Sequence, residues 1–180
     1  MSLLNLALFA GQSTGDGPGL RSVIWVRGCE RHCPDCATPY FWNMSKKQVS
    51  IEKIASRIFA QKGIEGVTLC GGEPFLQAAP LSELASLCHS NGLSIVTYTG
   101  FTLSELESVP DSEKLLKQTD ILIDGPYKSK FPETQRHWVG SKNQIFHFLT
   151  SWYLPGTEDL QEGESIIRPR NNFRALFERL

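Results

Sequence analysis

The 180-residue chain has no surplus of positive charge: 18 lysines and arginines stand against 19 aspartates and glutamates, a net charge of -1 at pH 7. Gripping nucleic acid needs a concentrated basic surface, so no direct nucleic-acid partner is expected. No apolar run is long enough to cross a bilayer. The opening Met1-Ser2-Leu3-Leu4-Asn5-Leu6 lacks the basic leader and long apolar stretch of a signal peptide. A cytoplasmic protein with no membrane partner is therefore expected. Cysteine is sparse and odd in number, five in all, which argues against a secreted disulfide framework. Internal repeats and low-complexity segments are absent, and a hydrophobic content of 41% suits one core. We expect a single domain over residues 1–180, with its core at about 5–150 and an irregular, Gly- and charge-rich tail at about 155–180.

What is present is a cysteine triplet. Cys29, Cys33 and Cys36 are spaced C-x3-C-x2-C, with no fourth cysteine nearby. Cys70 and Cys88 stand alone, and Cys88 is expected to be a small core residue on a helix. Two metal chemistries compete for the triplet. A zinc site would need His32 or His89 as fourth ligand, yet structural zinc takes four tetrahedral ligands, usually as two close pairs, and no second pair is present. Alternatively, three thiolates can hold three irons of a 4Fe-4S cube. The fourth iron then stays open to a ligand, so the cluster can do chemistry rather than only pass electrons. The triplet favours the cluster.

Strands alternate with helices along the chain. Residues 22–26, Ser-Val-Ile-Trp-Val, read as a buried strand that runs into the cysteine loop. Ser50 is a candidate N-cap for a helix with Ile51, Ile54, Ala55, Ile58 and Phe59 on one apolar face, which Gly63 can end. Residues 67–70 form a strand that stops at Gly71-Gly72. Pro80 suits the first turn of a second helix, with Leu81, Leu84, Ala85 and Cys88 inward and Asn91-Gly92 as terminator. Residues 93–98 make a strand before Thr99-Gly100, and Thr102 with Glu105 forms a capping-box pattern. Residues 121–123 make a strand before Asp124-Gly125-Pro126, and residues 145–149 another, while 173–180 looks weakly helical. This alternation implies a mostly parallel sheet with right-handed crossovers. The unusual residues cluster just after strand ends, where parallel α/β folds bind ligands.

The triplet spacing resembles that of the radical S-adenosylmethionine (radical SAM) superfamily. Gly71-Gly72-Glu73-Pro74 follows one βα unit later. Paired glycines are common turn punctuation, but their missing side chains also let backbone carbonyls approach a ligand. Asp16-Gly17-Pro18-Gly19-Leu20-Arg21, ahead of the first strand, resembles the opening of glycyl-radical activating enzymes. Within that group the chain is most similar to the activases of anaerobic (class III) ribonucleoside-triphosphate reductase. The residues that carry the resemblance are Cys33-Pro34-Asp35-Cys36 with Pro39 and Trp42, Tyr98-Thr99-Gly100-Phe101, Asp124-Gly125-Pro126-Tyr127 and Gly140-Ser141-Lys142-Asn143-Gln144, over about residues 5–150.

The resemblance implies an α/β fold: an incomplete, open (β/α)6-type barrel with a mostly parallel curved sheet, since a chain this short fits roughly six βα units at most. It implies two cofactors, a 4Fe-4S cluster on Cys29, Cys33 and Cys36 and S-adenosyl-L-methionine. Reductive cleavage of the latter to a 5′-deoxyadenosyl radical would be fed by a flavodoxin or ferredoxin and used to make a glycyl radical on a partner such as the anaerobic ribonucleotide reductase large subunit. Gly71, Gly72, Glu73 and Pro74 would line the amino-acid end of the ligand. Thr97, Tyr98, Leu122 and Asp124 would lie near its ribose and sulfonium, and Asp35 would stand where relatives often border the adenine with an aromatic. Asp124 reads equally as a turn residue and Tyr98 as a strand aromatic, and Asn143 and Gln144 either bind the ligand carboxylate or cap a turn. His89 and His147 look structural, and His137-Trp138 reads as a solvated loop more than a partner contact. Val139 stands where the family often has arginine, with Arg136 near, and Cys70, where serine is frequent, reads as a packed thiol. Two rival functions remain in view: a tailoring enzyme acting on a nucleoside or peptide, and a non-catalytic iron-sulfur protein.

Overall fold

The computed structural model describes residues 2–45, 48–154 and 156–160, so the tail and the helix expected over 173–180 lie outside the described residues. Within them the chain forms β1 (Leu3–Leu4), β2 (Leu6–Ser13), β3 (Arg21–Val26), β4 (Val49–Ser50), α1 (Ile51–Phe59), β5 (Gly66–Gly71), α2 (Ala78–Ser90), β6 (Ser94–Tyr98), α3 (Leu103–Leu106), α4 (Ser112–Leu116), β7 (Ile121–Asp124) and β8 (Ile145–Phe148). The six-stranded sheet runs β2-β3-β5-β6-β7-β8, and β1 and β4 form a separate two-stranded ladder. The central four strands are parallel, and β2 and β8 flank them antiparallel.

The fold is thus mixed α/β with a mostly parallel sheet, as expected. Among the described residues, however, helical crossovers join only β3 to β5 (α1), β5 to β6 (α2) and β6 to β7 (α3 and α4). The outer strands arrive through loops. A strand that joins its neighbour without a crossover pairs antiparallel, which accounts for both edges.

Local chemistry sets the helices. The Ser50 side chain caps α1 by accepting from the Lys53 amide at 3.4 Å. Ile51, Ile54, Ala55 and Ile58 face inward, but Phe59, at the final residue of α1, is 40% exposed. Leu81, Leu84, Ala85 and Cys88 are all buried on α2, with Pro80 in its first turn and Gly92 (φ 71°) after its end. Thr102 and Glu105 form a complete capping box on α3. The short helix α4, not anticipated from sequence, follows Asp111 in the left-handed region.

These helices cover one face of the sheet. Ile24, Val26, Val67, Leu69, Ile95 and Leu122 pack there against α1 and α2 in one apolar cluster. Val96, Ile121, Ile123 and Tyr153 form a second cluster with Tyr98, Trp138, Phe146 and Phe148. Arg21 is wholly buried, and its guanidinium donates to the side chains of Thr68 (2.9 Å), Ser94 (3.1 Å) and Tyr153 (2.7 Å) and to the carbonyls of Pro18, Val67 and Ser94. This network joins the starts of β3, β5 and β6 to the segment after β8.

Candidate active site

Side chains along a strand alternate between faces. The helix-facing residues Ile24, Val26, Leu69 and Ile95 therefore leave Trp25, Cys70 and Tyr98 on the opposite face, at the carboxyl ends of three adjacent parallel strands. Trp25 and Cys70 are register partners. Together they wall a cavity of about 590 Å³, within the range that small-molecule sites occupy.

Cys29, Cys33 and Cys36 line the same cavity. The loop that carries them is fixed at its root: the amides of Gly28 and Cys29 donate to the carbonyls of Phe41 (2.8 Å) and Trp42 (2.9 Å). All five cysteines are free thiols. Burial pushes the Cys29 thiol up, while the backbone N–H groups of Arg31 and His32 pull it down. Among the described residues, no three His, Cys, Asp or Glu side chains converge on a point that a single ion could occupy. His89, one of the two candidate fourth zinc ligands, is engaged elsewhere, 2.9 Å from Asp120. A cube asks for something different, one thiolate per iron spread around its corners. Three separate free thiols on one cavity wall fit that requirement. Burial, reinforced by the nearby Asp16, drives the Cys70 thiol well above the usual range.

The glycine pair lets the cysteine loop sit down on β5. Gly71 has φ 107°, and a Cβ there would lie 2.6 Å from the Val26 amide nitrogen. A Cβ on Gly72 would lie 2.4 Å from the Gly28 carbonyl oxygen. Both obstacles are backbone, so a side chain at Gly71 would push β5 off β3, and one at Gly72 would lift the cysteine loop off the strand. Just beyond, the Glu73 amide donates to the Gly28 carbonyl (2.7 Å). The Glu73 carboxylate accepts from the Phe75 amide (3.0 Å), the Thr99 hydroxyl (2.9 Å) and the Gly100 amide (2.8 Å), which ties the end of β5 to the end of β6. Burial raises its pKa to about 7 against the pull of these donors and of Arg31.

A family model described as a 4Fe-4S single cluster domain matches residues 15–147. The anaerobic ribonucleoside-triphosphate reductase-activating protein of Enterobacteria phage T4 is 31% identical, over 72% of this chain and 84% of its own. The chain belongs to the radical SAM activase family. The Salmonella typhi protein of the same name is 28% identical over 74% of this chain and 92% of its own. The pyruvate formate-lyase-activating enzyme of Clostridium pasteurianum is 30% identical over 87% and 73%. The crystal structure of QueE from Escherichia coli overlaps 56% of this chain and 53% of its own, at a TM-score of 0.43 and 23% identity.

Within this activase, Cys29, Cys33, Cys36, Gly71, Gly72, Glu73 and Tyr98 share the cavity wall. Five other residues expected beside the ligand do not line that wall. Asp35 is exposed, and its carboxylate accepts from the Ser129 hydroxyl (2.6 Å), joining the cysteine loop to the loop after β7. Pro74 is the buried first residue of the 3-10 turn Pro74–Gln77. Thr97 and Leu122 are register partners on the helix-covered face, Thr97 bonding the Thr119 hydroxyl at 2.9 Å and Leu122 lying in the apolar cluster. The Asp124 carboxylate accepts from the Leu103 amide (2.6 Å). His147 lies on β8 with Nε2 3.1 Å from that carboxylate, out of line for a hydrogen bond.

Gln144 accepts from the Gly140 and Ser141 amides and also lines the cavity, and Asn143 donates to the Pro126 carbonyl (2.8 Å). Arg136 does not replace the charge missing at Val139: it bonds Glu133 (2.7 Å) and the carbonyls of Gln144 and Lys142, outside the cavity. Trp138, expected in a solvated loop, lines the cavity, and its carbonyl accepts from the Tyr98 hydroxyl (2.8 Å). Sequence reasoning missed Trp25, Arg31 and Thr38. Strand parity with Cys70 was the available signal for Trp25. Arg31 sits at the rim, with its guanidinium 5.0 Å from the Phe101 ring centre and 3.1 Å from Glu105.

Proposed function

We propose that this chain is a glycyl-radical-enzyme activase. In this reading it reductively cleaves S-adenosyl-L-methionine and uses the resulting 5′-deoxyadenosyl radical to remove a Cα hydrogen from one glycine of a partner, with the anaerobic ribonucleotide reductase large subunit first in line. The observation that carries the reading is the meeting, in one cavity, of three free thiols and a side-chain-free Gly71-Gly72 edge. Cys29, Cys33 and Cys36 would hold the 4Fe-4S cluster, which when bound supplies the electron that breaks the sulfonium C–S bond. The chain's own residues bind, orient and exclude water. Gly71 and Gly72 would offer backbone carbonyls to a ligand ammonium, the Gly71 carbonyl in place of its 3.4 Å contact with the Thr38 hydroxyl. Glu73 holds that edge against β6, and Trp25, Tyr98 and Trp138 wall the cavity with rings.

The finer parts of the reading are a single radical SAM domain, an incomplete open barrel whose free side admits the partner's glycine loop, a flavodoxin or ferredoxin electron donor, and a cytoplasmic location. Among the described residues no helix is long and apolar enough to cross a membrane. The test is anaerobic incubation of the reconstituted protein with dithionite and S-adenosyl-L-methionine. 5′-Deoxyadenosine should accumulate, and none above background would overturn the proposal. Adding the reductase should then give a glycyl-radical doublet by electron paramagnetic resonance. A nucleoside or peptide modified in its place would transfer the enzyme to the tailoring class.

A further inference from the structure

Thr38 occupies the N-cap position of the 3-10 turn Pro39–Phe41, where a threonine hydroxyl ordinarily accepts from an amide of the turn. Here it makes no such bond. The hydroxyl instead lies 3.4 Å from the Gly71 carbonyl oxygen and 3.9 Å from Cys36 Sγ, and the Thr38 amide donates to the same sulfur at 3.4 Å. Thr38 is half-buried and lines the cavity. One residue thus spans the third cysteine of the triplet and the first glycine of the open edge.

We propose that Thr38 is a positioning residue that sets the reduction potential of the site through Cys36. A hydroxyl has one proton and here two acceptors, so it can serve only one at a time. A thiol must lose its proton to bind iron, and as a thiolate it only accepts. With iron on Cys36, the Thr38 hydroxyl would be able to donate to its Sγ beside the backbone N–H already there. Hydrogen bonds to ligand sulfur stabilise the more negative, reduced state and raise the potential. The inference rests on the activase reading, since it presumes iron on Cys36.

The experiment compares wild-type protein with Thr38→Val, which keeps the shape and the backbone N–H but loses the hydroxyl, and with Thr38→Ser, which keeps the hydroxyl. All three are reconstituted anaerobically, counted for iron and sulfide, checked for fold by circular dichroism, and titrated for midpoint potential by electron paramagnetic resonance. Thr38→Val should bind the same iron as wild type with its midpoint shifted to more negative potential, and Thr38→Ser should restore the wild-type value. Thr38→Val that folds but loses iron, with Thr38→Ser loading fully, would overturn the tuning role, because the hydroxyl would then hold the ligand rather than set its potential. A wild-type potential in fully loaded Thr38→Val overturns the inference and leaves the activase reading standing. So does an equal shift in Thr38→Ser. Wild-type protein that takes up no cluster overturns both.

Discussion

The four parallel strands present two faces of opposite character. Toward the helices they offer Ile24, Val26, Val67, Leu69, Ile95 and Leu122, with the Thr97–Thr119 hydroxyl pair as a polar exception. Away from the helices the same strands offer Arg21, Thr68 and Ser94 at one end and Trp25, Cys70 and Tyr98 at the other. The first face is an ordinary dry core. The second is held by a buried cation and hydroxyls beside a smaller apolar cluster of Val96, Ile121 and Ile123, and then opens into a cavity. Residues one position apart on a strand therefore belong to different tasks, and substitutions should separate stability from chemistry along that division.

Cys33→Ala should test the division most severely. It should abolish a full 4Fe-4S absorption spectrum and all 5′-deoxyadenosine formation, while the urea unfolding free energy of the metal-free protein moves by no more than about 0.5 kcal/mol. Iron content and radical formation that survive the change would break the ligand assignment. Leu84→Ala, on the other face, should do the reverse. It should cost about 2–5 kcal/mol in unfolding free energy through the cavity left in the helix-side core, with iron bound per folded molecule unchanged.

Glu73 stands between the faces, and it carries a pH signature. Its pKa is raised in the folded state to about 7 from an ordinary 4.5, chiefly by burial. The folded protein therefore holds more protons than the unfolded chain between those values. Stability from this group is complete below the unfolded pKa and falls as pH rises through the window, by about 3 kcal/mol in all. Urea titrations of metal-free protein across that range should show the decline, and Glu73→Gln should flatten it. The smallest effect belongs to Ser50→Ala, far from the cavity. Loss of the α1 cap should cost about 1 kcal/mol, seen as a lower thermal midpoint with no change in iron uptake.

Much of this division was legible in the sequence, for identifiable reasons. The β-branched runs of β3, β5 and β7 and the capped, periodic α1 announce themselves, and so do the cysteine triplet and the glycine pair, because each is a local pattern tied to one geometry. Strand β2, Leu-Ala-Leu-Phe-Ala-Gly-Gln-Ser, was not legible: it carries small residues and a glycine, and it is a strand because β3 offers it an edge. Thr97 and Leu122 were placed beside the ligand from their closeness to strand ends. Parity decides the matter, and it becomes readable once Ile95 is known to face the helices. Thr38 could not be read at all. Its sequence position marks a turn, and only the fold shows that the hydroxyl looks away from that turn.

The bonds from Glu73 to Thr99 and Gly100 have a consequence for how the protein comes into being. The cysteine loop leaves the ribosome early, but the platform beneath it closes only when β6 has docked, some seventy residues after Cys29. The glycine edge can seat as soon as β5 pairs with β3, but the Glu73 side chain has no Thr99 or Gly100 to hold until β6 is in place. The floor under the thiols is therefore laid first and clamped second.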